Sequence, residues 1–341
     1  MGRTKDTQGK IITSYLAKQH YNELNSTDLA RIIYAENKTM KSIDNVRALI
    51  RYYRGHFGDR QRELLADRRF VRDDPILSKY NTNEIPESDA IEYKSFKLPA
   101  NQNEILLLPD LHIPYHDVDA LDVAINWGAE RDINTVILQG DSLDCYQMSV
   151  FEKEPNNRDF EGERDIFWKI LDILQKKFHK AKFYYIEGNH EMRWKSILRG
   201  SPRLAKSVYG MIEFELDIIL RLGERNITWI ADKQKMFAGK LAIIHGHEYK
   251  GGNASLVNPA RWLFMKTLGN TLCAHFHRSS DHSEPNVENE LRACWSVGCL
   301  CELHPFYMPN NKWNHGFPRV RVNKDGTFKV TNLRIYNGKL L

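Results

Sequence analysis

The sequence lacks any long hydrophobic run: nowhere in its 341 residues do the roughly eighteen uninterrupted apolar residues of a membrane span occur. It also lacks the apolar opening of a secretory leader, beginning instead Met1-Gly-Arg-Thr-Lys-Asp6. A cytoplasmic protein with no membrane partner is therefore expected. Cysteine is scarce. Cys145, Cys273, Cys294, Cys299 and Cys301 are odd in number and without CxxC spacing, which excludes a disulfide framework and a zinc ribbon and leaves five buried, reduced thiols. Internal repeats and low-complexity stretches are missing too, and 42% hydrophobic residues suffice for a packed core, so disorder, collagen and coiled coil are set aside.

What is there is unevenly spread. Lys and Arg number 49 against 44 Asp and Glu, but residues 1–73 hold fifteen basic and nine acidic residues, leaving 34 against 35 for the rest. The whole basic excess sits in the N-terminal fifth. Apolar spacing there is helical, best from Ser42, where Ile43, Val46, Ile50 and Tyr53 share a face, Ser42 caps the start and Gly55 marks the end. Leu29, Ile32 and Ile33 mark a shorter helix opened by Ser26 or Thr27, and Ile11, Ile12, Tyr15 and Leu16 another. Arg47, Arg51 and Arg54 form a stripe beside the apolar face of the third helix, an arrangement similar to a helix-turn-helix. Such a stripe either contacts nucleic-acid phosphates or is simply the wet face of an amphipathic helix. We read 1–72 as this basic helical domain, 73–90 as a linker rich in Asp, Asn and Pro, and 91–341 as a second domain whose first strand lies near Glu92 to Leu98.

In the second domain four short apolar runs each break at a polar cluster: Ile105 to Leu108, Thr135 to Leu138, Phe183 to Ile186 and Leu241 to Ile244. Runs of four bounded this way read as buried strands, with helices over Ala120 to Glu130 and Arg164 to Lys177 between them. The end, Arg319 to Val330, reads as a hairpin around Asp325-Gly326. An α/β domain with its chemistry at the strand ends follows.

That chemistry is specific. Asp110 and His112, one residue apart beyond a strand, would leave an extended backbone on one face and grip one ion; His275 and His277 repeat the spacing. Asp141 follows a strand through Gly140, Asn189 another through Gly188, and His245 ends a third. Oxygen and imidazole ligands in this number suit two divalent ions sharing one carboxylate, and the absence of thiolate favours Mn, Fe or Zn, with Ni also admissible, in a hydrolytic site. Each motif alone is more often a capped turn or a surface histidine; five of them closing successive strands are not.

Taken in order, Asp110-Leu-His112, Gly140-Asp-Ser-Leu-Asp144, Gly188-Asn-His-Glu191, His245-Gly-His247 and His275-Phe-His277 closely resemble the five-motif signature of the calcineurin-like metallophosphoesterases. The resemblance spans about Ile105 to His277. It implies a four-layer α/β/β/α sandwich with a binuclear centre. One metal would take Asp110, His112, Asp141 and His277, the other Asp141, Asn189, His245 and His275, with Asp141 bridging.

The residues suggest further roles. A pair of cations, most readily Mn²⁺, holding a hydroxide between them would direct in-line attack on phosphorus. His190, beside Asn189 but not needed as a ligand, is the natural general acid, and Asp144 would fix its tautomer or else serve as a helix N-terminal carboxylate. Arg193 would pair with phosphate or with Glu191, and His247 would touch substrate or support a ligand. The sequence departs from the pattern in three places. Cys145-Tyr146 stands where phosphoprotein phosphatases of the superfamily have Arg-Gly, Ala274 where the last motif usually has glycine, and Pro109 before the first ligand. A protein phosphatase is thereby disfavoured.

Three functions are weighed: a phosphodiesterase or nuclease acting on nucleic acid or nucleotides, a phosphomonoesterase, and a nucleic-acid-binding protein with an inactive phosphoesterase domain. The filled ligand positions and basic head favour the first, in a bacterial or phage setting. Arg158, Arg164, Arg199, Arg203 and Lys206 near the site would form a basic rim or, with Glu152, Glu154, Asp159, Glu161 and Glu163, an ordinary solvated surface. Trp194, Trp262, Trp295 and Trp313 would stack bases or fill a core, and His304 and His315 lie in a loop whose place the spacing does not decide.

Overall fold

The computed structural model describes residues 7–54, 90, 92–149, 159–249 and 257–341. Gly55, Arg158, Glu152, Glu154 and, apart from Ala90, the expected linker 73–90 lie outside the described residues. The chain divides into two compact units, Met1–Glu92 and Tyr93–Leu341.

In the first unit, helices Thr7–Leu16, Gln19–Asn22, Ser26–Glu36 and Ile43–Tyr53 bury Ile12, Leu16, Leu29, Ile33, Val46 and Ile50 against one another. Ser42 caps the last helix as its position predicts, its hydroxyl accepting the Asn45 N–H at 3.1 Å. Three expectations are corrected. Asn25, rather than Ser26 or Thr27, caps the third helix, accepting from the Thr27 and Asp28 N–H groups. Ile43 is 40% exposed and stands outside the core. Arg54, expected on the basic stripe, is 7% exposed, because its guanidinium donates to the carbonyls of Asn22 and Leu24 and to the Ser26 hydroxyl. It closes the helical unit and is not a surface charge.

The second unit holds thirteen strands among the described residues: β1 Phe96–Lys97, β2 Glu104–Leu108, β3 Thr135–Gln139, β4 Lys182–Ile186, β5 Ile227–Ile230, β6 Met236–Ala238, β7 Leu241–Ile243, β8 Thr271–Cys273, β9 Ser280–Pro285, β10 Leu291–Ser296, β11 His315–Val322, β12 Phe328–Tyr336 and β13 Lys339–Leu340. They form one sheet in the order β13-β12-β11-β2-β3-β4-β5 and a second in the order β1-β6-β7-β8-β10-β9. The four apolar runs are strands β2, β3, β4 and β7, and the terminal hairpin is β11 and β12, turning at Gly326 with φ 79°. The early strand is only Phe96–Lys97, and it joins the second sheet beside β6.

Strand alternation builds the layers. Leu106, Leu108, Val136, Leu138, Phe183 and Tyr185 face helices Val118–Ala129 and Phe160–Lys177, while Ile105, Leu107, Ile137, Tyr184 and Ile186 face Met236, Leu241, Ile243 and Leu272 of the other sheet. On the far side of that sheet, Trp262 and Leu263 of helix Pro259–Thr267 pack on Ile244, Cys273 and Cys294. Helices, sheet, sheet and helix make four layers, the α/β/β/α sandwich that the motif resemblance implies. Both faces of the central strands are buried, which is why their sequences are unbroken apolar runs. No helix among the described residues is long and apolar enough to cross a membrane.

Candidate metal centre

Each candidate ligand follows the carboxyl end of a buried strand: Asp110 and His112 after β2, Asp141 after β3, Asn189 after β4, His245 after β7, His275 and His277 after β8. Strands β2, β3 and β4 are parallel neighbours, as are β7 and β8, so the loops of each set emerge at one edge. The backbone there is not extended, which corrects the spacing argument. Asp110, His112, Asp141, His275 and His277 take φ values of 46°, 45°, 45°, 69° and 53°. The left-handed region costs a non-glycine residue of the order of 1–3 kcal/mol. Left-handed turns, and not strand alternation, bring each pair of side chains together.

Two glycines allow the approach. A Cβ on Gly188 would lie 2.2 Å from Asp141 Oδ1, and one on Gly140 would lie 2.4 Å from His245 Nδ1. Gly188 is thus required by proximity rather than by a positive φ.

The seven candidate ligands converge on one cluster, with Asp110, His112, Asp141, His245 and His277 buried and Asn189 and His275 half-buried. Ligand atoms of Asp110, His112 and Asp141 lie within 4.8 Å of one another, as do those of Asp141, His245 and His275. Asp141 belongs to both groups. His277 Nε2 stands 3.2 Å from His112 Nε2 and 3.4 Å from Asp110 Oδ1, so it joins the first. His245 Nε2 stands 3.2 Å from both Asp141 Oδ2 and Asn189 Oδ1, so Asn189 joins the second. Donors bound to one ion at about 2.1 Å are separated by about 3.0–3.4 Å at tetrahedral or octahedral angles, so these spacings fit shared coordination.

Tautomers agree with that use. His112 Nδ1 donates to Asp144 Oδ1 at 2.9 Å and His245 Nδ1 donates to the Gln139 carbonyl at 2.9 Å, turning both Nε2 lone pairs inward. Imidazole, carboxylate and amide oxygen are a donor set that suits borderline divalent cations.

Electrostatics shows what the cluster balances. Burial alone would raise Asp110 and Asp141, yet His277 pulls the first below its ordinary value and His245 pulls the second well below. Burial disfavours charge on His245 too, but Asp141 outweighs it and lifts the imidazole to about 10. His275 is depressed to about 3, by burial and by His245 beside it. Two buried carboxylates therefore hold positive charge among them, as protons or as metal.

His190 stacks edge-on against His112 with centroids 4.3 Å apart. Its Nδ1 donates to the Asp144 carbonyl at 2.9 Å and lies 3.1 Å from Asp144 Oδ1, so Asp144 touches His112 and His190 together. Burial opposes its protonation, but Asp141 and Asp144 raise its pKa. Arg193 does not pair with Glu191. It donates from Nη1 to the Asp144 carbonyl at 2.7 Å and from Nη2 to His190 Nε2 at 3.0 Å. Glu191 is instead a buried brace, accepting the N–H groups of Asp141, Leu143 and Gly188 and the Tyr185 hydroxyl. His247 lies beside His245, ring centroids 5.3 Å apart, with Nε2 3.1 Å from Asp232 Oδ1.

Some features were not legible in the chain. Cys301 falls within ligand reach of His112 and His277, so a thiol does stand at the cluster, contrary to the expectation that sulfur is absent. Its neighbourhood arises because Cys301 pairs by an isolated bridge with His116, in the loop after β2, a contact across 185 positions of chain that no local spacing signals. Glu163 reaches from its helix to the Cys145 and Tyr146 N–H groups, holding the loop after Asp144. Of the tryptophans, Trp262 is buried, Trp295 packs among the inter-sheet residues and Trp194 stacks on Phe160; Trp313 lies 4.2 Å from the His277 ring. His315 Nε2 donates to the Cys301 carbonyl, and His304 Nδ1 to that of Pro309. Arg164 pairs with Glu161 and Asp165, and Arg199 donates to the Tyr209 hydroxyl. These two are the solvated surface of the alternative reading, not a bare cationic rim.

No protein-family model matches the sequence, and no curated protein does. Among solved structures, vacuolar protein sorting 29 from Cryptosporidium parvum is similar at 12% identity, covering 70% of this chain and 94% of its own, with a TM-score of 0.36. A single mutant of Vps29 from Entamoeba histolytica is similar at 12% identity, covering 68% of this chain and 99% of its own, with a TM-score of 0.32. Likeness this slight assigns nothing to this chain. The side chains of the cluster are what speak of chemistry: groups of His and Asp able to hold metal ions, meeting at a shared Asp141.

Proposed function

We propose that this chain is a phosphoric ester hydrolase of the calcineurin-like metallophosphoesterase superfamily, using two divalent metal ions, most readily Mn²⁺, to cleave phosphodiesters in nucleic acid or nucleotides. The observation that carries the reading is the position of Asp141 in two adjoining groups of donors, one completed by Asp110, His112 and His277, the other by Asn189, His245 and His275. Bound there, the two ions would supply Lewis acidity to the phosphoryl oxygens and to the attacking water.

The protein's own residues do the rest. His190 Nε2 delivers a proton to the departing oxygen, with Nδ1 held by Asp144. Arg193, anchored on the Asp144 carbonyl, turns toward a phosphoryl oxygen when His190 is protonated, since two cations cannot share the contact it makes to neutral Nε2. His247, oriented by Asp232, buttresses the His245 side of the centre or meets substrate there.

The basic excess of residues 1–73 favours a polyanionic substrate, with Arg47 and Arg51 as the remaining candidates for backbone contact. A panel of mono- and diester reporters with single- and double-stranded DNA and RNA, on one preparation titrated with Mn²⁺, tests the reading. Metal-dependent diester cleavage is expected. Preference for monoesters would move the assignment to a phosphomonoesterase, and inertness toward all of them would refute hydrolysis.

A further inference from the structure

Next to the ligand cluster the protein presents a group of aromatic rings that its own core does not use. Phe306 and Tyr307 are 60% and 44% exposed, although they sit on a well-anchored loop. The Asn311 side-chain amide donates to the carbonyls of Leu303 and Met308, and His304 Nδ1 donates to the Pro309 carbonyl. The loop therefore holds both rings in place, Phe306 mostly in water and Tyr307 with part of its ring in water and its hydroxyl turned inward. They continue inward: Phe306 meets Tyr146 edge-on at 5.8 Å, Tyr146 meets Tyr115 at 6.3 Å, and Phe306 meets Tyr307 at 5.5 Å.

This row borders the chemistry at three points. Tyr146 is two residues from Asp144, and Tyr115 three from His112. At the far end of the same loop, Trp313 lies against the candidate ligand His277. Tyr307 is close enough that, after burial, Asp144 and Cys301 act most strongly on its hydroxyl, with Arg193 opposing them.

Large aromatic faces left in water forgo burial that would stabilise the fold, and fixing them on a pinned loop costs further entropy without return in the free protein. Beside a phosphate-binding centre, the return comes from a planar ring attached to the phosphate. We propose that Phe306 and Tyr307, with Trp313 at the far end of the same loop, form a stacking subsite for the base of a nucleotide ester, placing the phosphate over Asp141 and His190. The inference rests on the phosphoesterase reading and narrows it: substrates carry a base adjacent to the scissile phosphate, whatever the sugar. Stacking tolerates every base, so discrimination among bases is weak.

The test compares two ligands that differ only in the ring, thymidine 5′-monophosphate and 2-deoxyribose 5-phosphate, by isothermal calorimetry on the Mn²⁺-loaded full chain. The wild type should bind the nucleotide more tightly, by roughly 5- to 150-fold, the range of one stacked base. Phe306→Ala with Tyr307→Ala should abolish that preference while leaving the affinity for the sugar phosphate unchanged, and Phe306→Trp should keep it. Equal affinity of the wild type for both ligands, or a preference that survives the double alanine variant, overturns the subsite. Binding is read separately from cleavage, so a chain that binds nucleotide selectively yet hydrolyses no ester would sink the hydrolase reading and leave the subsite standing.

Discussion

His190 is where geometry and proton chemistry meet. Its ring is fixed by Asp144 and faces Arg193, and the proposed function gives it the protonation of a poor leaving group. His190→Ala should lower kcat about 100- to 10,000-fold on an alkyl diester, the usual weight of general acid catalysis, but far less on a p-nitrophenyl ester, whose leaving group needs no proton. Equal losses on both would remove the proton-donor role. Arg193 lowers the proton affinity of His190, so Arg193→Ala should carry the alkaline limb of the pH–rate profile to higher pH while kcat/KM falls roughly 10- to 150-fold, the worth of a charge-assisted hydrogen bond. An unmoved limb would show that the two side chains are not coupled. Asp144, His190 and Arg193 could be nominated from their order in the chain, and so could the contact of Asp144 with His190, but the rest of the wiring could not: Asp144 also touches His112 and Arg193 ignores the neighbouring Glu191, choices made by folded geometry.

At the scale of elements, the centre depends on loops forced into unusual conformations at strand ends. Gly188→Ala puts a methyl group on Asp141, and overpacking of this kind costs about 1–3 kcal/mol. Denaturant unfolding should show that loss together with loss of Mn²⁺ binding; retention of both would mean that the loop after β4 has slack. A second element, helix Phe160–Lys177, supplies Glu163, whose carboxyl burial and the nearby Asp144 push up to about 8. Between its ordinary value of 4.5 and about 8, the folded chain holds a proton there that the unfolded chain has released. That contribution to stability is therefore lost as pH rises through the window. Urea midpoints at pH 5 and pH 8 should differ more for the wild type than for Glu163→Gln, and identical differences would contradict the raised value. The strands themselves were readable from the sequence, because burial on both faces leaves runs such as Ile105 to Leu108 with no polar residue. The left-handed turns after them were not, since Asp and His adopt positive φ only where surrounding structure insists. Nor was the edge partner of β1, which depends on contact with β6, 140 positions along the chain.

For the whole molecule, two sheets act as a rigid frame that sets seven side chains, spread from Asp110 to His277, around a common point. An ion that binds only the folded arrangement stabilises it by mass action, about 2.7 kcal/mol per site at a hundredfold excess over Kd. Thermal unfolding should shift upward with Mn²⁺ and return on chelation, whereas a metal-indifferent midpoint would argue against the cluster as a binding site. The sequence order of the motifs nominated the seven side chains that the structure brings together; the meeting of Cys301 and Trp313 with them came from chain returning after β10, which local patterns do not report. The most direct test is an anomalous difference map from crystals grown with Mn²⁺. Two peaks about 3.5–4 Å apart, with the Asp141 carboxylate between them, are predicted. A map with no peak, or with a single peak away from Asp141, would contradict the account.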